Sequence, residues 1–204
     1  MSFNKRKFLE INDFYPDSLV SDNYSIYKQV LTDEHLELCV NNIGELYKDK
    51  VKVGKEYLFL VQHNLRKTMM SNHESETITN QKFIDVARGE VLVFGLGIGL
   101  IIFPILQDSE IKKITIVEID NGLIEIVSPV VKNRDVLNKL EIINADAFTW
   151  ETEKKFDTIY FDIWHTINTE SFDEMERLKE RYLKNLSTDG WIDSWCSELN
   201  PLEK

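Results

Sequence analysis

The chain has 204 residues, of which 43% are hydrophobic and 29% charged, the composition of a globular protein large enough to bury one substantial core. Its 24 basic residues are outnumbered by 35 acidic ones, and the net charge of −11 repels a phosphate backbone and argues against nucleic acid as a partner. No stretch approaches the roughly 18 apolar residues of a membrane span. The basic start has no apolar run behind it, and Cys39 and Cys196 are too few for a disulfide framework, so a cytoplasmic setting is expected.

The first 30 residues are polar around Phe14, Tyr24 and Tyr27 and show no long periodic element. Thr32 suits an N-cap, with Asp33 and Glu34 in the first turn where the helix dipole favours acids. Leu36, Val40, Ile43, Leu46 and Tyr47 then follow at helical spacing, and Lys48 and Lys50 close the helix. Two short strands, Glu56 to Gln62 and Arg66 to Ser71, are predicted to form a hairpin around His63-Asn64. Ser71-Asn72-His73-Glu74 fits a capping box, and a helix is expected from about Glu76 to Ala87, before Gly89.

From there strands and helices alternate, the signature of an α/β parallel sheet. Val91–Phe94, Lys113–Glu118, Leu140–Ile143 and Thr158–Phe161 are the predicted strands. An apolar helix over Leu100–Leu106 follows the first strand, and a second helix runs through Leu123, Ile124, Ile126 and Val127. A third carries Phe172, Met175, Leu178, Tyr182 and Leu186 on one face and ends near Gly190. Trp191–Cys196 is a candidate fifth strand.

The run Val91-Leu92-Val93-Phe94-Gly95-Leu96-Gly97-Ile98-Gly99 delivers a buried strand into a glycine turn, the device by which α/β folds bring backbone against a nucleotide-like ligand. A dinucleotide fingerprint needs its third glycine where Leu100 stands, so the spacing points away from NAD. Glu118 ends the second strand, where a carboxylate can accept both ribose hydroxyls of a nucleoside or simply be solvated, and Ile119 is placed to lie against an adenine face. After the third strand, Asp146 can accept from an adenine amino group or cap the next turn, Ala147 leaves room, and Phe148 packs nearby. Asp162 closes the fourth strand, where a carboxylate can hold an ammonium, orient an amine or act as general base. His165 titrates near neutrality and either shares that work or forms part of a substrate wall. No H-E-x-x-H, paired C-x-x-C or G-x-S-x-G string signals a metal or an activated Ser or Cys.

Over residues 57 to 196 these strings resemble the class I S-adenosylmethionine (SAM)-dependent methyltransferase superfamily, nearest to its spermidine synthase-like (aminopropyltransferase) branch. The likeness rests on Gly95-Leu96-Gly97-Ile98-Gly99, Val117-Glu118-Ile119-Asp120, Asp146-Ala147 and Phe156-Asp157-(x4)-Asp162; upstream, Met70-Ser71-(x4)-Glu76 resembles that branch's hairpin and gate. Asp162-Ile163-Trp164 with Ser194-Trp195-Cys196 also resembles methyltransferase-like proteins common in phages and prophages. The resemblance implies a Rossmann-like parallel sheet flanked by helices over residues 89–204, short at its C-terminal end, behind an N-terminal helix and hairpin lid over 1–88. It implies SAM or decarboxylated SAM held by Gly95, Leu96, Gly97, Gly99, Glu118, Ile119, Asp146 and Ala147, with catalysis at Asp162 and His165.

Two departures stand out. The branch carries D-x-x-D after strand four, its second Asp deprotonating the attacking amine, and here that position is His165. The superfamily's closing antiparallel strand pair has no counterpart, which leaves a sheet edge for the hairpin or a second copy of the chain to cover. Methyl transfer to a small-molecule or protein acceptor is the expected function, with aminopropyl transfer from decarboxylated SAM and non-catalytic binding of an adenosine compound as alternatives.

Overall fold

The computed structural model describes residues 5–39 and 47–200. Two sheets organise them. The first is antiparallel, with β1 (Ser18–Val20), β2 (Tyr24–Val30), β3 (Glu56–Gln62) and β4 (Lys67–Ser71) in that order. The β3–β4 hairpin forms where the sequence predicts it, with Phe59 opposite Ser71 and Gln62 opposite Lys67. Nothing in the first 30 residues signals β1 and β2, because β2 is specified by its pairing with distant β3, Tyr24 opposite Gln62 through Val30 opposite Glu56. The two faces of this sheet do different work. Tyr24, Ile26, Leu58 and Leu60 join the main core, whereas Tyr57 and Phe59 pack with Leu31, Leu36 and Val51 in a small core of their own.

Helix α1 (Asp33–Cys39) begins as expected, with Thr32 Oγ1 accepting the His35 N–H at 3.2 Å. The remainder of that predicted helix, 40–46, and the Cys39 side chain lie outside the described residues. Helix α2 (Glu74–Val86) starts two residues early and without the capping box. Ser71 ends β4 and accepts the His73 N–H at 3.3 Å, and His73 makes no side-chain cap bond.

The second sheet holds β5 (Gly89–Phe94), β6 (Ile111–Glu118), β7 (Leu140–Asn144), β8 (Phe156–Phe161) and β9 (Leu186–Ser194) in the order β7-β6-β5-β8-β9, every pair parallel. This is a Rossmann-like α/β fold. Its central strand is apolar at consecutive positions because both faces are covered. Val91 and Val93 enter the main core with the N-terminal sheet and α4 (Asn121–Lys132), while Leu92 and Phe94 enter a second core with Leu178 and Tyr182 of α5 (Thr169–Tyr182). The chain leaves β5 for β6 on one side and returns to β8 on the other, so a crevice opens at the carboxyl ends of these strands.

Two helical expectations are corrected. The apolar run after the glycines forms only a one-turn helix, α3 (Phe103–Leu106), because the turn occupies residues as far as Ile102. Helix α5 stops at Tyr182, eight residues before Gly190, since the Tyr182 hydroxyl is held by the carbonyls of Ala147 and Trp150 and pairing of β9 with β8 begins at Leu186. The candidate fifth strand is therefore real and starts earlier than predicted, with residues 187–190 looped out between its two stretches of pairing.

Polar contacts lock the two sheets together. Tyr15 donates to the Ile98 carbonyl at 2.7 Å inside the core, and Asn80 of α2 accepts from Tyr160 of β8 at 2.9 Å. Asp120 caps α4 by accepting from the Gly122 and Leu123 N–H groups, and its other oxygen accepts from the Tyr24 hydroxyl at 2.9 Å. Asp120→Ala removes a cap and this tie at once and is expected to cost about 2 kcal/mol. Tyr24→Phe removes only the tie, at about 1 kcal/mol. Midpoints of urea unfolding at constant m-value measure both, and equal losses would show that the cap contributes nothing.

Candidate active site

A cavity of about 550 Å³ occupies the crevice. Its floor comes from the ends of the parallel strands, and Tyr24, Leu60, Gln62, Met69 and Met70 of the antiparallel sheet close it from above. Nine predicted site residues line it: Gly95, Leu96, Gly97, Glu118, Ile119, Asp146, Ala147, Asp162 and His165. The tenth, Gly99, does not. A Cβ there would lie 2.9 Å from Val131 Cγ2 and 3.0 Å from a Phe103 ring carbon, so this glycine serves the packing behind the turn.

The other two glycines have distinct reasons. Gly95 has φ +98°, and a Cβ on it would stand 2.2 Å from the Asp162 carbonyl oxygen, a collision with backbone that nothing can relieve. Gly97 has φ +48°, and a Cβ there would meet only the Met70 side chain, its sulfur at 2.3 Å and its methyl carbon at 3.3 Å. Met70 lies across this turn, its thioether 3.3 Å from the Ile98 N–H.

Glu118 is 8% exposed, and each of its oxygens takes one backbone donor, Leu96 N–H at 2.9 Å and Asp120 N–H at 2.9 Å. Burial raises its pKa, with these N–H groups pulling the other way. The carboxylate is thereby fixed between the glycine turn and the cap of α4 and keeps lone pairs on both oxygens. Ile119 beside it is 68% exposed, an apolar surface at the cavity mouth. Asp146 accepts the Phe148 N–H at 2.8 Å in a turn of its own, which sets its carboxylate on the wall next to Ala147.

The opposite end is formed by Asp162 and Glu76, with Trp164, His165 and Trp195 around them. Among the described residues neither carboxylate has a hydrogen-bond donor. Burial pushes the Asp162 carboxyl up to about 7, and burial together with the Asp162 charge pushes Glu76 up to about 8. Burial and then nearby Lys67 lower the His165 pKa, which keeps the imidazole neutral at pH 7. The described wall thus carries five acids, Glu76, Glu118, Asp120, Asp146 and Asp162, and no Lys or Arg. Sequence reasoning did not name Glu76, Met70 or Tyr24 as site residues, since each reaches the cavity from the N-terminal sheet or the helix behind it. The gate-like string Met70-Ser71-(x4)-Glu76 is the one signal that touches them.

Gly95→Ala and Gly97→Ala are both expected to weaken binding of 5′-methylthioadenosine by at least about tenfold. Met70→Ala should restore part of the loss at Gly97 and none at Gly95; isothermal titration of the single and double variants decides, and equal rescue would remove the assigned collisions. A second expectation concerns pH. A carboxyl whose folded pKa is raised binds a proton that the unfolded chain has already released, so stability falls from about pH 4 upward to pH 8. Asp162→Asn should therefore stabilise the protein at pH 8 by on the order of 1–2 kcal/mol and change nothing at pH 4. Thermal unfolding at the two pH values reads this, and a destabilised variant at pH 8 would contradict it.

Comparison with known proteins follows this geometry. Residues 70–192 match the family model described as "Spermine/spermidine synthase domain". A polyamine aminopropyltransferase of Leptospira interrogans is 33% identical over 81 residues, a match covering 36% of this chain and 16% of that protein. The crystal structure of spermidine synthase from Thermotoga maritima superposes with a TM-score of 0.53 at 17% identity, over 87% of this chain and 54% of the other. The chain thus spans about half the length of that structure. The fold, the cavity at its switch point and the family match agree, and the chain belongs to the spermine/spermidine synthase domain family.

Proposed function

We propose that this protein transfers an aminopropyl group from decarboxylated SAM to an amine. The observation that carries the reading is the charge of the cavity, five acids with no Lys or Arg on the described wall, in a chain of this family. Decarboxylated SAM is a sulfonium and an ammonium without a carboxylate, and the acceptor amine is a cation at pH 7; an acidic, partly desolvated wall favours both and disfavours an anion.

The roles follow from position. Glu118 accepts the ribose hydroxyls, held by its two backbone donors, and Ile119 with Ala147 bounds the adenine, whose amino group donates to Asp146. Leu96 and Gly97 floor the adenosyl group. Asp162 faces the transferred group and the amine. The donor carbon is activated by its sulfonium, so the chain's part is to align the nucleophile, exclude water and take up a proton. Methyl transfer from intact SAM, the function expected from sequence, stays as a second reading on one observation. His165, the only described lining residue able to become a cation, stands near Asp162 in chain and wall and offers a partner for a carboxylate.

Titration calorimetry with decarboxylated SAM, SAM, methylthioadenosine and NAD separates the readings. Decarboxylated SAM is expected to bind at least about tenfold more tightly than SAM, and Glu118→Ala to weaken every adenosyl ligand by about tenfold or more. A preference for SAM would move the assignment to methyl transfer, and tight binding without turnover would leave a binding protein. Indifference to Glu118→Ala would remove the adenosyl site itself.

A further inference from the structure

Helix α2 presents two glutamates in its first turn, and they are treated oppositely. Glu74 has structural partners, the Tyr57 hydroxyl at 2.5 Å and Lys55 Nζ at 3.3 Å. Glu76, two residues on, lines the cavity with Asp162 and has no hydrogen-bond or ion-pair partner among the described residues. The helix dipole favours an acid in this turn, but that gain is available to a solvated side chain and does not explain desolvation beside a second carboxylate. The surrounding charges do not offset it. Tyr160 of β8 senses the Asp162 charge, and Cys196, after β9, senses Asp162, Glu76 and Glu198. Burial keeps that phenol and thiol protonated, and His165 on the same wall is neutral. Two carboxyl groups are therefore gathered at one end of the cavity with no cation supplied by the described residues. Beside them, the indoles of Trp164 and Trp195 are fixed by N–H bonds to Glu174 and Thr79. Aromatic walls and paired carboxylates are the surroundings that a desolvated ammonium prefers.

We propose that Glu76 is the amine-binding residue of the acceptor subsite, acting with Asp162 as joint counter-ion of a substrate ammonium and accepting the proton the amine must lose before it attacks. This rests on the transfer reading above. It places the second acid of the subsite on the helix that follows the hairpin, in a chain where the position three residues after Asp162 is His165. In the step, the ammonium gives one proton to the Glu76 carboxylate. The freed lone pair then forms the N–C bond as the C–S bond breaks, and the bonding pair returns to sulfur, which leaves as a neutral thioether. The product nitrogen keeps two hydrogens and the positive charge, and the Glu76 carboxyl returns its proton to solvent.

The test is calorimetric titration of the full chain with 1,4-diaminobutane alone at pH 7, in two buffers of different ionisation heat, for the wild type and Glu76→Gln. Wild-type binding should release protons, because the empty pair holds one that the incoming ammonium displaces. Glu76→Gln should weaken the diamine by about tenfold or more and reduce the release. Its methylthioadenosine affinity should stay within about twofold of the wild type, which shows that the variant is folded. Equal diamine binding by both proteins, or none by the wild type, overturns the role of Glu76. Failure of the wild type to bind methylthioadenosine strikes the transfer reading instead, so the two failures are told apart.

Discussion

The site depends on how closely β5 approaches its neighbours at Gly95. The Gly95 N–H donates to Val117 of β6 at 2.9 Å, and the Asp162 N–H donates to Phe94 at 2.9 Å, so the end of the central strand is laced to both sides. The Asp162 carbonyl occupies the space a Cβ would need. This contact brings Glu118 and Asp162 to either flank of one turn and sets the width of the crevice between them. A bulkier residue at 95 would part the strands and separate the two carboxylates, whatever ligand the turn receives.

The N-terminal sheet completes what the parallel sheet begins. Tyr15 holds the Ile98 carbonyl, Tyr24 holds Asp120, and Met70 covers Gly97, so the glycine turn and the cap of α4 are both positioned by residues far upstream. The same region delivers Glu76. Because α2 is pinned through Asn80 to Tyr160 and through Thr79 to Trp195, the gate residue and the ends of β8 and β9 form one rigid wall. Rigidity matters electrostatically, since a flexible acid would turn to water and recover its solvation.

Charge also changes the weight of the functional alternatives. From sequence, methyl transfer is the broader expectation because the acid of the D-x-x-D pattern is absent at His165. The folded wall supplies an acid from elsewhere, Glu76, and this supports the proposed polycationic donor and acceptor. The net charge of −11 argues against nucleic acid without saying where on the molecule the acids gather.

The strand-end half of the cavity was legible because each of its residues follows a strand of the parallel sheet, at a position that periodicity and glycine spacing already mark. Gly95, Glu118, Asp146 and Asp162 are local consequences of strand ends, and the α/β class follows from the alternation that places them. Gly99 shows the limit of such reading, since only packing against Val131 and Phe103 reveals that it faces away from the cavity. Strands β1 and β2 were invisible for a related reason: β2 is stabilised by β3, some 30 residues downstream, and the three-residue β1 pairs only with β2. The sequence by itself determined the strands of the parallel sheet, the turn and the acids at their ends, because local propensity and spacing act over a few residues. Only the tertiary structure decided that Met70 and Glu76 complete the site, because that depends on the N-terminal sheet folding back over the crevice and burying a second carboxylate against Asp162.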